Sequence, residues 1–336
     1  MKNKNLMFIA DIFPETSGQA VISKMVYNIL KDEMNIFHVP LSYKNNNIKG
    51  SFFFRVSFLF RLTAKLFIFT LSKSNKKIIY FTPSRGSLSI YRDFILIILL
   101  RIIKLNNNVK IFSHLHGSDM KQSTDDFFIK NFFLKSYIKL NISLIILSEN
   151  HKNFAFGIEY KNYKIIPNFI PNSNVFQYIK PIQNRFLQHK AKYTKYVLLH
   201  LSGVLKNKGL DFAIKFTIAL NNHKFFIENK IIFLIKIVGW NRSDVIKLHP
   251  EIVPFLISLE KSNLIKFYGP VHKKNELNLI LAKIHFNILF SKSEAQPLSL
   301  LEAASYGCIS VVNDADFIND MFLTIDGFCI DRNNFD

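Results

Sequence analysis

Short apolar runs of strand length alternate with longer stretches of helical spacing along the whole chain. Leu6–Ala10, Asn35–Pro40, Lys77–Phe81, Val109–Ser113, Leu144–Leu147 and Lys164–Ile166 read as strands of a first half. Tyr196–Ser202, Ile231–Val238, Leu264–Tyr268, His285–Phe290 and Ile309–Val312 read as strands of a second. Between them, Val21–Leu30, residues 51–77, Ile90–Ile103 and Lys274–Ala282 carry helical periodicity or lack helix breakers. Strands joined through helices make a parallel sheet with ligands off the carboxyl ends of its strands, so the pattern predicts an α/β, doubly wound chain.

The pattern lapses once, over residues 169–193, where Pro171, Pro181, several Asn and scattered lysines stand without clear period. We read this as a linker between a domain at 1–168 and another at 194–336, a division that suits 336 residues. Lys and Arg outnumber Asp and Glu 44 to 24, giving +20. The excess is uneven, with 24 basic against 10 acidic residues in 1–170 and 20 against 14 thereafter. A basic half implies an anionic partner, although abundant Lys, Asn and Ile also suit an AT-rich genome. No aromatic-basic recognition motif, helix-turn-helix or zinc spacing supports nucleic acid as that partner. The two cysteines, Cys308 and Cys329, lie in or beside apolar strand text and read as small buried hydrophobes in a reducing compartment. No signal-peptide core follows the N-terminal lysines, and the longest apolar stretches are too short or carry internal charge, so none reads as transmembrane.

Residues 51–77, SFFFRVSFLFRLTAKLFIFTLSKSNKK, hold more apolar residues than one narrow core stripe accommodates. They fit a core helix with solvated lysines, or an interfacial helix that also touches anionic lipid.

The densest chemistry lies in HFNILFSKSEAQPLSLLEAASYGCISVVN, residues 285–313, which reads as strand, loop, helix, strand. Pro297 suits the first helical turn, with Leu298 and Ser299 after it, and Gly307 suits the residue past the helix end. The helix N–H groups point into the loop 291–296, a ready anion site. Glu294 stands before the helix and Glu302 within it, in a Glu-x7-Glu spacing that an ordinary surface pair also satisfies.

With Ala303, Ala304 and Gly307, this text resembles the signature of retaining glycosyltransferases of the GT-B fold, glycosyltransferase family 4. The resemblance implies two Rossmann-like domains facing across a cleft, and transfer of a sugar, in the hexosyltransferase manner, from a nucleoside diphosphate donor to a hydroxyl acceptor. It assigns Glu294 to the donor sugar and Glu302 to the ribose. In SGVLKNKGLDFAI, residues 202–214, Gly203, Lys208 and Gly209 match a phosphate-binding loop, while Val204 replaces the family's arginine. One phosphate cation is therefore missing unless Lys206 substitutes, and Lys208 could also be plain surface charge. In HLHGSD, residues 114–119, His116 and Gly117 match a pair that faces the donor sugar, with a helix-capping turn as the bland alternative. Of the family's glycine pair after the first strand only Gly18 remains, preceded by Ser17; a lone glycine there also fits simple turn chemistry. Gly239 closes a strand beside the expected nucleotide base. No metal or cofactor is expected, and Asp314-Ala315-Asp316 is read as a coincidental loop. The family's final crossing helix has no counterpart before Asp336.

The expectation is a cytoplasmic enzyme, peripheral to the inner face of the membrane, whose acceptor is a lipid-linked saccharide of bacterial surface polysaccharide, O-antigen, capsule or lipopolysaccharide assembly. An inactive or truncated relative, or a basic nucleic-acid-binding protein, is the alternative.

Overall fold

The computed structural model describes residues 4–12, 18–41, 52–74, 76–83, 90–106, 109–117, 127–151, 160–170, 175–187, 194–292, 294–313 and 325–331. The chain divides into two compact units, Met1–Asn168 and Phe169–Asp336.

The first unit runs β1 (Lys4–Ile9), α1 (Gly18–Leu30), β2 (Asn35–Val39), α2 (Phe52–Leu71), β3 (Lys76–Phe81), α3 (Ile90–Asn106), β4 (Val109–His114), α4 (Phe127–Leu140), β5 (Ser143–Ile146) and β6 (Tyr163–Ile165). Its strands pair in the order β2-β1-β3-β4-β5-β6, all parallel. Successive strand residues point to opposite faces, so both faces need cover. Met7 and Ile9 of β1 join Leu62, Leu66 and Phe69 of α2, Ile97 and Leu100 of α3 and Tyr137 of α4. Leu6 and Phe8 turn the other way, with Val26, Tyr27 and Leu30 of α1 packed against them.

Within residues 51–77, α2 has a buried stripe and an exposed apolar face. Leu62, Leu66 and Phe69 form its buried stripe, at helical spacing. Phe60 and Leu71, exposed at 73% and 66%, stand outside it with Phe67 and Ile68. Among the described residues no helix is long and apolar enough to cross a membrane.

The second unit opens with a 3-10 turn (Val175–Tyr178) and α5 (Ile179–Leu187), inside the stretch expected to be linker. Ile182 packs that helix against the core of the unit, and one cation ties it down. The buried Arg185 guanidinium donates to the carbonyls of Ile284, Tyr306 (3.0 Å) and Gly307 (3.0 Å). Then follow β7 (Thr194–Leu201), α6 (Leu210–Asn222), α7 (Lys224–Glu228), β8 (Ile231–Val238), α8 (Arg242–Leu248), α9 (Val253–Lys261), β9 (Ile265–Gly269), α10 (Lys274–Leu281), β10 (Phe286–Leu289), α11 (Leu298–Ser305), β11 (Ile309–Asn313) and β12 (Gly327–Ile330). The strand order is β12-β11-β10-β7-β8-β9, again all parallel. Taken from the other edge it is third, second, first, fourth, fifth, sixth, the order of a dinucleotide-binding sheet. Cys308 is buried, which pushes its thiol up to about 11. Cys329 is exposed, contrary to expectation, because β12 lies at the sheet edge.

Candidate functional site

Strand order reverses between β7 and β10, and ligands of such sheets bind off the carboxyl ends of the strands at that reversal. The two loops that leave this point are tied together. The Lys292 N–H donates to the Asn207 carbonyl at 3.0 Å, and the Ser291 hydroxyl to the same oxygen at 3.3 Å. Gly209 permits the approach. Its φ is +70°, and a Cβ there would lie 2.0 Å from the Phe290 carbonyl oxygen. The result brings Lys208 Nζ onto Glu294 Oε1 as an ion pair, the two side chains only 19% and 13% exposed.

Gly203, two residues past the end of β7, is exposed, and a Cβ there would meet nothing within 4 Å. Val204 and Lys206 are exposed beside it. Gly239, at φ +97°, lets β8 end against β7: a Cβ would sit 2.0 Å from the Ser202 carbonyl oxygen. Its N–H donates to Gly269 O at 2.8 Å, binding the end of β9 as well. Below the loop, the Trp240 indole donates to Ser202 Oγ at 3.0 Å. That leaves the Ser202 hydrogen for His200 Nε2 at 2.9 Å, and burial holds this imidazole down to about 4, neutral.

Helix α11 starts one residue later than the sequence suggests. Pro297 is the N-cap in an extended conformation, and Leu298 is the first helical residue. No side chain caps this end, while Asn287 Nδ2 donates to Ser299 O at 3.2 Å and fixes the first turn to β10. At the other end Gly307 takes φ +67°; its N–H reaches Ala304 O at 2.8 Å and that of Cys308 reaches Ala303 O at 3.1 Å. This Schellman closure ends the helix where the sequence places its stop. Glu302, on the second turn, pairs with Lys274 Nζ of α10 at 2.6 Å. The unit therefore joins Lys208 to Glu294, and Glu302 to a lysine that sequence reasoning did not single out.

The remaining sequence-chosen residues belong to the first unit. Gly18 is the exposed first residue of α1, and Ser17 lies outside the described residues. His116 and Gly117 follow β4 after Leu115, both half-buried. The His116 ring lies 3.9 Å, centroid to centroid, from that of His114. His151, fully buried, accepts from Leu147 N–H through Nδ1 at 3.1 Å, so its Nε2–H donates to Gly117 O at 3.1 Å. His114 faces the Tyr80 hydroxyl at 2.7 Å, and burial holds it down to about 3. These two histidines brace the His116-Gly117 turn. Asp314-Ala315-Asp316 falls outside the described residues.

Two units with six-stranded parallel sheets, wound with helices on both faces, are the GT-B fold. Among solved structures the chain is similar to sucrose-phosphate synthase from Thermosynechococcus elongatus, with a TM-score of 0.67 at 12% identity over 98% of this chain and 87% of that one. HepE from Anabaena in complex with UDP matches at 0.63 and 13%, over 97% and 85%. A glycosyltransferase from Rickettsia africae matches at 0.61 and 14%, over 99% and 86%. No family model matches the sequence, and no curated protein matches it. At these identities the likeness concerns the fold.

Proposed function

We propose that the chain is a retaining glycosyltransferase that moves a sugar from a nucleoside diphosphate donor to a hydroxyl of a saccharide acceptor. The observation that carries this reading is the Lys208–Glu294 pair at the strand-order reversal, beside an uncapped helix N-terminus. The donor diphosphate takes Lys208 and the first N–H groups of α11; Gly203 gives it bare backbone to approach. Glu294, released from the lysine, accepts from sugar hydroxyls, and Glu302 from the ribose. His116 and Gly117 are our candidates for contact with the donor sugar, and Gly18 for the donor phosphates. The leaving phosphate accepts the acceptor's proton, so the work of the protein is to stabilise charge there with preorganised donors. No metal enters the reaction. HepE is described with UDP, and with UDP and glucose, which makes UDP-sugars the first donors to try.

We place the enzyme at the inner face of the cytoplasmic membrane, acting on a lipid-linked saccharide of surface-polysaccharide or lipopolysaccharide assembly. The basic excess of residues 1–170 and the outward apolar face of α2 support that placement. The direct test is nucleotide release across UDP-, GDP- and ADP-sugars with lipid-linked acceptors, followed by the anomeric configuration of the product. Release from one donor class with a retained anomer is expected; an inverted product would end the retaining assignment.

A further inference from the structure

A second cluster begins with Asp211, just after the loop that carries Lys208. Asp211 stands in the first turn of α6, and His249 and Glu251 stand in the turn between α8 and α9. One ligand-type atom from each lies within 4.8 Å of the other two. His249 Nδ1 is 3.2 Å from Glu251 Oε1. Two ligands held about 2.0–2.1 Å from one tetrahedral ion are separated by roughly 3.3 Å, so this spacing suits a shared ion as well as a hydrogen bond.

The histidine is the second, independent observation. It is 1% exposed, and outside the cluster neither ring nitrogen has a hydrogen-bond partner: Nε2 is buried with none, and Nδ1 faces Glu251 alone. A buried polar group without a partner is costly, and the unpartnered Nε2 belongs to the same buried ring whose Nδ1 faces the Glu251 carboxylate; a metal ion is a common partner for an imidazole so placed. The backbone holds it in place. His249 N–H donates to Val245 O at 2.8 Å, its carbonyl accepts from Ile252 N–H at 3.1 Å, and its ring lies 5.9 Å from that of the buried Trp240. Glu251 is exposed and Asp211 half-buried, which leaves an entry path and room for a water as fourth ligand.

We propose that Asp211, His249 and Glu251 form a site for a divalent first-row transition ion, for which zinc is the probe. One imidazole and two carboxylates are a donor set that zinc accepts. The ion would staple the first turn of α6 to the turn after α8. We give it no part in the transfer chemistry, and its test needs no donor.

The experiment takes the full, untagged chain, stripped with chelator, and titrates it with zinc by calorimetry while thermal unfolding is followed with and without the metal. Cobalt substitution reports the geometry by its visible absorption. We expect one zinc per chain, a rise in the unfolding temperature on loading, and a tetrahedral cobalt spectrum. Asp211→Asn and Glu251→Gln, at half-buried and exposed positions that leave the core untouched, should each weaken zinc by roughly tenfold or more, and His249→Ala should remove the site. His223→Ala, at an exposed histidine elsewhere, should change nothing. Zinc that binds Asp211→Asn and Glu251→Gln as tightly as the parent, or a parent that binds none, overturns the proposal.

Discussion

A lysine and a glutamate in contact cancel each other's charge, and an incoming diphosphate changes that balance. Under the proposed function, Lys208 would exchange one carboxylate for phosphate oxygens, and Glu294 would be left to hydroxyl donors. Lys208→Ala should therefore weaken nucleoside diphosphate binding by roughly 1.5–3 kcal/mol, the worth of a charged hydrogen bond. Val204→Arg, at an exposed position beside Gly203, should tighten it. Calorimetry with UDP, GDP and ADP reads both, and unchanged affinity in both variants would move the phosphates elsewhere. The glycines of the same loop separate fold from binding. Gly209→Ala forces a Cβ against the Phe290 carbonyl at positive φ and should lower stability by more than about 1 kcal/mol. Gly203→Ala meets no neighbour, so its unfolding should be unchanged while diphosphate affinity falls. Equal affinity in Gly203→Ala would show that phosphate does not approach that backbone. The residues of the candidate site that lie in compact motifs, Glu294, Glu302, Lys208 and the glycines, were legible in the sequence. Lys274 and His151 were not, since each acts through a partner on a different element.

At the scale of elements, α2 shows how one sequence serves two environments. Its buried stripe of Leu62, Leu66 and Phe69 follows helical spacing, and its surplus of aromatics is what remains outward. Of its basic neighbours, Lys65 donates to His38 O and Lys77 to Thr70 O, so their stems lie along the sheet side. If this face rests on a membrane, replacing Phe60, Phe67 and Leu71 together with Ser should reduce co-sedimentation with anionic liposomes. Each basic residue near such a surface contributes about 1 kcal/mol, so high salt should release the parent protein. Binding that ignores lipid charge and salt would leave the basic excess without that role. The helix itself was legible from the absence of breakers. Helix α5 was not: with Pro181 inside it, Pro171 before it and little period, its hold on the unit includes Arg185 on three carbonyls, an interaction that leaves no repeat in the sequence.

At the scale of the molecule, two doubly wound units followed from the strand-helix alternation, since strands covered on both faces must be continuously apolar. Strand order did not follow from it, because which strands neighbour each other depends on crossovers that periodicity does not record; the reversal between β7 and β10 had to be observed. The buried histidines give the first unit a pH dependence. Burial lowers His114 from its ordinary 6.5 to about 3 in the fold, while the unfolded chain still titrates near 6.5. Below that value the unfolded state binds a proton that the fold excludes. Stability is therefore full above about 6.5 and falls by about 1.4 kcal/mol per pH unit from this residue as pH drops toward 3. Urea unfolding across that range should show the slope, and His114→Gln should flatten it; an unchanged slope would place the acid sensitivity in other groups.

The central claim is donor-dependent transfer from the site at the strand-order reversal. Its most direct measurement is nucleotide release from UDP-, GDP- and ADP-sugars by the parent protein and by a folded Glu302→Ala variant. Glu302 pairs at the surface with Lys274, so its loss should cost no more than about 1 kcal/mol of stability. The account predicts release from one donor class by the parent and none by Glu302→Ala with an unchanged unfolding temperature. Parent-like release by the correctly folded variant, or no release from any nucleotide-sugar by the parent, would contradict it.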